Sequence, residues 1–241
     1  MSEIIGLDKI GKIKEINICG IMIFQFVADI IDSNMYVILA GENAIVFDAV
    51  CNGDLYNFLE IHGVKHADVF ITHEHFDHIY GLNHLRDKID CTVYAGEAVA
   101  VKMENPSKNL SNKVDIFLMF NKDYLWVDSF KPFSAVADRI INDREVSVMY
   151  GHTVEVFLTE GHTKGGMSYL VDGKILVTGD TLMGLPTITR FPSGSKKVFL
   201  EKTLPFYESI KDRVEKVLPG HGDCGNIDEM IECNMKFLYK E

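Results

Sequence analysis

The sequence predicts an α/β protein, an αββα sandwich with sheets packed between helices, and three observations carry that prediction. Short apolar, β-branched runs bounded by turn residues read as strands. Segments of helical length stopped by glycine read as helices. Their order is strands, helix, strand, helix, strands again and a final helix, which places the sheets inside and the helices outside.

The first two strands are Met35 to Ala40 and Ala44 to Phe47, joined through Gly41-Glu42-Asn43 into a hairpin that ends at Asp48. A helix follows from about Asp54 to Ile61 and stops at Gly63. Ala67 to Ile71 is a short apolar strand leading into the polar run Thr72 to His78. A helical stretch covers about Ile79 to Lys88, and Thr92 to Ala95 is the next strand. Residues 105–143 show no sustained period and are expected to form a substrate lid or an insertion. Strands then resume at Val146 to Met149, Val154 to Leu158, Met167 to Val171 and Ile175 to Val177. The last pair is joined by Asp172-Gly173, a strong hairpin signal. A final helix is expected from about Phe199 to Val214, before Val217-Leu218-Pro219-Gly220-His221. No internal repeat divides the chain, so residues 1–241 are expected to form a single domain.

Composition narrows the function classes. The chain has 241 residues and a formal net charge of −11, and no Lys/Arg run marks a nucleic-acid arm. Such a surface repels a phosphate backbone, so no nucleic-acid partner is expected. The five cysteines are scattered without a C-x-x-C pair, which suits reduced intracellular thiols. The longest apolar run, Gly20 to Ile31, holds Gln25 and Asp29 and is too short to cross a bilayer, and no signal peptide is visible. A cytoplasmic protein acting on a small molecule, away from membranes, is expected.

Of nine histidines, three fall within Thr72-His73-Glu74-His75-Phe76-Asp77-His78, directly after a strand. In extended chain His73 and His75 point to one side and Glu74 to the other, so the two imidazoles can converge on one metal ion. Asp77 and His78 sit where a helix begins, and the change of backbone direction lets them face a second point. Imidazole with carboxylate suits zinc, iron or manganese. Three further strand ends deliver a lone His or Asp beside glycine: Gly161-His162-Thr163, Gly179-Asp180-Thr181 and Gly220-His221-Gly222. Singly each reads as a capped turn, but chance rarely places four such motifs in one chain.

With these motifs in order, from Asp48 through the His-x-His-x-Asp-His run to His162, Asp180 and His221, the sequence resembles the metallo-β-lactamase superfamily over about Met35 to Asp223. The resemblance implies that fold and two divalent metal ions, zinc first, with iron or manganese as alternatives. It implies that His73, His75 and His162 hold one ion, that Asp77, His78 and His221 hold the other, and that Asp180 bridges them. It also implies that Asp48 supports the site without touching a metal, and that Asp77 is the catalytic carboxylate that orients the nucleophile. Gly161 to Tyr169, Thr178 to Leu182 and Thr189 to Gly194 are most similar to glyoxalase II and its thioesterase-like relatives. Little chain follows His221, so the C-terminal helical domain that recognises glutathione in that group is expected to be absent.

Two adjacent divalent ions lower the pKa of a shared water toward neutrality and supply a metal-bound hydroxide. The expected function is therefore hydrolysis of a small acyl compound, thioester or ester before lactone. Alternatives are an iron-dependent persulfide dioxygenase, which in relatives uses fewer ligands, a small-molecule phosphodiesterase, and a non-catalytic metal-binding sensor. Arg190, whose guanidinium matches a carboxylate or phosphate, and Tyr169, a hydrogen-bond donor, are candidate substrate contacts; the competing readings are an ordinary surface arginine and, favoured by its place in a strand, a core tyrosine.

Overall fold

The computed structural model describes residues 13–28, 31–50, 52–118 and 130–238. Its first half runs β1 (Ile13–Ile18), β2 (Ile21–Val27), β3 (Asn34–Ala40), β4 (Asn43–Phe47), α1 (Asn52–Ile61), β5 (His66–Phe70), α2 (Phe76–Ile79), α3 (Leu82–Lys88), β6 (Asp90–Gly96), α4 (Glu97–Met103), α5 (Val114–Leu118) and β7 (Arg139–Ile141). Its second half runs β8 (Val146–Met149), β9 (His152–Leu158), β10 (Met167–Val171), β11 (Ile175–Gly179), α6 (Lys196–Val198), α7 (Leu204–Ile210), β12 (Lys216–Pro219) and α8 (Ile227–Leu238). Strands β1 to β7 form one sheet in sequence order, and β12-β11-β10-β9-β8 form the other.

The period-2 alternation of each strand builds three apolar layers. From β3 to β6, Val37, Val46, Val69 and Val93 face outward onto α1, α3 and α4, packing with Leu55, Leu59, Leu85 and Val99. Tyr36, Ile45 and Phe70 face inward and meet Val156, Tyr169 and Val177 of the second sheet. The outer face of that sheet, through Phe157, Leu170 and Leu176, is covered by Tyr207 of α7 and by Met230 and Ile231 of α8. The order helix, sheet, sheet, helix is the predicted αββα sandwich.

Turn chemistry sets the hairpins. Tyr150 and Gly151 both adopt positive φ (53° and 87°) between paired Met149 and His152, the two-residue turn that matches strand twist. Asp172 and Gly173 do the same (48° and 67°) between β10 and β11.

Several expectations change. The predicted helix Ile79 to Lys88 begins later, as α3, and its first residue closes the separate short helix α2. The predicted helix Phe199 to Val214 starts earlier, at Lys196, and contains a π-helical segment, Phe199–Thr203. It is not the last helix, because α8 follows β12. The β1–β2 hairpin and α4 were not anticipated. Within 105–143 the chain forms α5 and β7, while 119–129 lie outside the described residues. Among the described residues no helix is long and apolar enough to cross a membrane.

Candidate metal centre

Strand direction brings the polar motifs together. β4 and β5 are parallel, as are β11 and β12, and β9 runs antiparallel to β10, which runs antiparallel to β11. The loops that leave β5, β9, β11 and β12 carry the polar motifs, and Asp48 follows β4. The sheets are tied where these loops meet. Asn34 N donates to Gly220 O at 2.7 Å, and Tyr36 Oη donates to Pro219 O at 2.7 Å.

All seven predicted ligands converge. His73, His75 and His162 form one group of ligand atoms, Asp77, His78 and His221 a second, and His73, His78 and Asp180 a third, each within 4.8 Å. His75 is in extended backbone (φ −61°, ψ 143°), so it and His73 share a side while Glu74 turns away, as the spacing implied. His75 Nδ1 lies 3.0 Å from His162 Nε2. Asp180 spans the groups, with Oδ2 3.5 Å from His162 Nε2 and 3.3 Å from His221 Nε2, and Oδ1 3.2 Å from His78 Nε2. Glycine permits this closeness. A Cβ on Gly220 would press against Asp180 Oδ1 and lie 2.8 Å from His78 Cε1.

The surrounding hydrogen bonds fix four histidine tautomers. His162 Nδ1 faces the carbonyl of Ile188 at 2.8 Å and His221 Nδ1 that of Ile31 at 3.0 Å; a carbonyl only accepts, so both nitrogens carry the proton. His78 Nδ1 donates to the Asp48 carboxylate at 2.8 Å. The Thr72 hydroxyl donates to Asp48 Oδ2 at 2.9 Å, so it accepts from His73 Nδ1 at 3.0 Å. Each of these four rings therefore turns its Nε2 into the site, that of His78 toward Asp180 Oδ1 and that of His221 toward Asp77 and Asp180. Asp48 also accepts from Thr72 N at 2.8 Å, which accounts for all its observed bonds without any metal.

His73 Nε2, His78 Nε2 and Asp180 Oδ1 are buried and have no hydrogen-bond partner among the described residues. An orphaned buried polar atom costs about 1–3 kcal/mol, and three in contact are not a tolerable core arrangement. A cation is the group that takes several lone pairs from one point, so the residues fit divalent metal.

Electrostatics divides the site. Burial, followed by neighbouring imidazoles, holds His73 well below its ordinary value and His75 at about 3. Burial likewise lowers His162. Burial also opposes charge on His78 and His221, but the carboxylates outweigh it. Asp180, Asp77 and Asp48 raise His78, and Asp180 with Asp77 raises His221 to about 10. Asp77 and Asp180 stay below the usual carboxylate range despite burial, Asp77 chiefly through His78 and Asp180 chiefly through His221. One half offers neutral imidazoles and the other carries carboxylates that demand positive charge.

A cavity of about 620 Å³ opens over these groups, with His75, Asp77, His162, Asp180 and His221 in its floor. The segment 105–143 contributes Leu110 to its wall. The two predicted substrate contacts do not line it. Tyr169 is fully buried between the sheets and spends its hydroxyl on Ile71 O at 2.6 Å, so it is a core residue. Arg190 is exposed beside the cavity's outer loop. Cys224 also lies apart, its half-buried thiol 3.7 Å from Tyr36 Oη and pushed up by burial.

Sequence reasoning missed the supports. Ser33 donates to Asp77 Oδ2 at 2.8 Å, and Phe191 packs edge-on against His75 and His162 at 4.7 and 5.1 Å. Thr72 had a signal, its place directly before the histidine run; Ser33 had none.

The comparisons agree with this geometry. The chain is 28% identical to the probable metallo-hydrolase YqgX of Bacillus subtilis, over 80% of this chain and 86% of that protein. It is 28% identical to the hydroxyacylglutathione hydrolase of Brucella ovis over 70% of this chain, and spans only 50% of that protein. The crystal structure of the BLEG-1 B3 metallo-β-lactamase superposes with a TM-score of 0.71 at 25% identity, covering 88% of this chain and 98% of that one. Residues 29–221 match the family described as the metallo-β-lactamase superfamily, and with the fold and the clustered His/Asp groups in place the chain belongs to that superfamily.

Proposed function

We propose that this protein is a dinuclear-metal hydrolase acting on a small acyl compound, thioester or ester before lactone. The observation that carries the proposal is the convergence of the buried donor atoms of His73, His78 and Asp180 with those of His75, His162 and Asp77 and with His221 beneath one open cavity. His73, His75 and His162 would hold one ion and Asp77, His78 and His221 the other, with Asp180 reaching both. Zinc is the first candidate for this set, with iron or manganese as the alternative. Such a pair of ions, when bound, lowers the pKa of water and polarises an acyl carbonyl.

The chain's own residues supply the rest. Asp77 lines the cavity with Oδ2 anchored by Ser33, so its carboxylate is fixed to orient an attacking water and accept a hydrogen bond from it. His162 and His221 are locked by the Ile188 and Ile31 carbonyls. The half-length match to the Brucella enzyme gives no support to glutathione as the thiol portion.

The test is metal analysis together with a panel of thioesters, esters, lactones and phosphodiesters, run beside His75→Ala. Two metal ions per chain and acyl hydrolysis that falls to background in the variant are expected. One iron per chain with oxygen consumption, or bound metal without turnover, would overturn the proposal.

A further inference from the structure

The wall of the cavity says more than its floor. Ile31, Leu110, Met183, Leu185, Ile188 and Phe191 enclose the space above the ligand groups. Among the described residues lining it, the charged side chains other than the clustered His/Asp groups reduce to Asp32, and no lysine or arginine is present. Part of this apolar surface is exposed: Leu185 is 58% and Ile188 54% accessible at the rim. Apolar surface gathered at the mouth of a cavity of this size is the ordinary form of a ligand site.

Two independent features show that this wall is held in place. The loop carrying Met183, Leu185 and Ile188 is fastened to α8 by Asn234, fully buried, which accepts from Thr187 N at 2.8 Å and donates to Met183 O at 3.2 Å. Ile31 and Leu110 adopt positive φ (56° and 66°), and both line the cavity. An aliphatic side chain in that region is strained, and strain persists where surrounding structure enforces a functional placement.

We infer that the acyl portion of the substrate is an uncharged alkyl chain seated against the Leu185–Ile188 loop, Ile31 and Leu110. The inference rests on the hydrolase proposal and specifies its substrate class. An acyl group ending in a carboxylate would meet Asp32 and apolar side chains, with no lysine or arginine among the described lining residues, so an anionic tail is disfavoured in this cavity.

Two measurements separate the inference from the proposal beneath it. Binding of acetohydroxamate, butanohydroxamate and octanohydroxamate to metal-loaded protein reports the wall without turnover. Hydrolysis of the acetyl, butanoyl, octanoyl and ω-carboxyoctanoyl thioesters of N-acetylcysteamine reports it with turnover. Each reaction adds water across the C–S bond to give the carboxylic acid and the free thiol. Affinity and kcat/KM are expected to rise about two- to fourfold per methylene until the cavity is filled, and the ω-carboxylate to lose that gain. Leu185→Asp, at an exposed position that spares the fold, is expected to flatten the octanoyl-to-acetyl ratio. Equal binding across chain length, or a slope that survives Leu185→Asp, overturns the inference. A hydroxamate slope without hydrolysis of any thioester, ester or lactone supports the alkyl site and overturns the hydrolase proposal, whereas hydrolysis indifferent to chain length does the reverse.

Discussion

Lys102 Nζ lies 2.8 Å from Glu74 Oε1 and 2.5 Å from the carbonyl of Lys164, joining the His73–His75 segment to the His162 loop from behind. Glu74 is 1% and Lys102 14% exposed at the side chain, and Ser193 adds a second donor to the same carboxylate oxygen at 3.2 Å. The residue between two ligand histidines is thus pinned to the loop that delivers the third.

Lys102→Met leaves a buried carboxylate unpaired and is expected to destabilise the fold by about 3–5 kcal/mol. It is also expected to weaken metal binding by about 10–100-fold, the usual cost of losing a ligand's support. The double variant Glu74→Leu/Lys102→Met is expected to regain stability but not affinity. Arg86→Met, which breaks the 2.6 Å pair with Asp138 away from the ligand loops, serves as the control and should leave metal affinity intact. Chelator competition and urea titration distinguish these outcomes; unchanged affinity in Lys102→Met would limit the clamp to stability.

Asp48 receives His78 Nδ1, Thr72 N and Thr72 Oγ1. Asp48→Asn removes the charge that orients His78 and, through Thr72, His73. Metal affinity is expected to drop about 10–100-fold with the circular dichroism spectrum preserved. Affinity equal to wild type would reduce Asp48 to a loop cap.

Gly220→Ala drives a methyl group against Asp180 Oδ1 and His78 Cε1. The backbone there is also bonded to Gly179 O at 2.8 Å and cannot easily retreat. Loss of metal stoichiometry below one ion per chain is expected by elemental analysis of the folded variant, and full loading would show that the loop can yield.

The metal-free protein should lose stability as pH falls from about 6.5 to 4.5. His73, His75 and His162 have lowered values, so the unfolded chain takes up protons in that range while the folded one does not. The unfolded state then binds more protons, which makes stability rise with pH, by up to about 1.4 kcal/mol per unit for each such group. His78 and His221 are raised; their contribution is fully present below about pH 6.5 and is lost only toward alkaline pH, through about 10 for His221. Asp77 and Asp180 are lowered, so theirs persists until stronger acid. Urea titration of chelator-treated protein at steps across this range checks the sign; a flat profile would contradict the neutral three-histidine half.

The candidate ligands were legible because strand-end geometry is local: His73 and His75 two residues apart in extended chain must share a side, wherever the rest of the fold lies. Hairpins such as Asp172-Gly173 were legible for the same reason. Helix α8 was not, since its inward stripe of Ile227, Met230 and Ile231 continues into Asn234, a polar residue whose buried place depends on a loop some fifty positions upstream. Helix α4 starts from the last residue of β6, Gly96, without a side-chain cap, leaving no boundary to read. Strand β7 is three residues long and acquires its identity only by pairing with β6. Tyr169 drew attention by its position near His162, but the strand period that places Ser168 outward sends Tyr169 between the sheets.

The ligand groups belong to loops of both sheets, His73, His75, Asp77 and His78 after β5, and His162, Asp180 and His221 after β9, β11 and β12. Any ion shared between His75 and His162 therefore acts as a rivet through the sandwich, closing a loop of the chain that only the docked sheets can close. Occupancy becomes a gauge of that docking: metal should leave this protein as the two layers part, well before either sheet has unravelled.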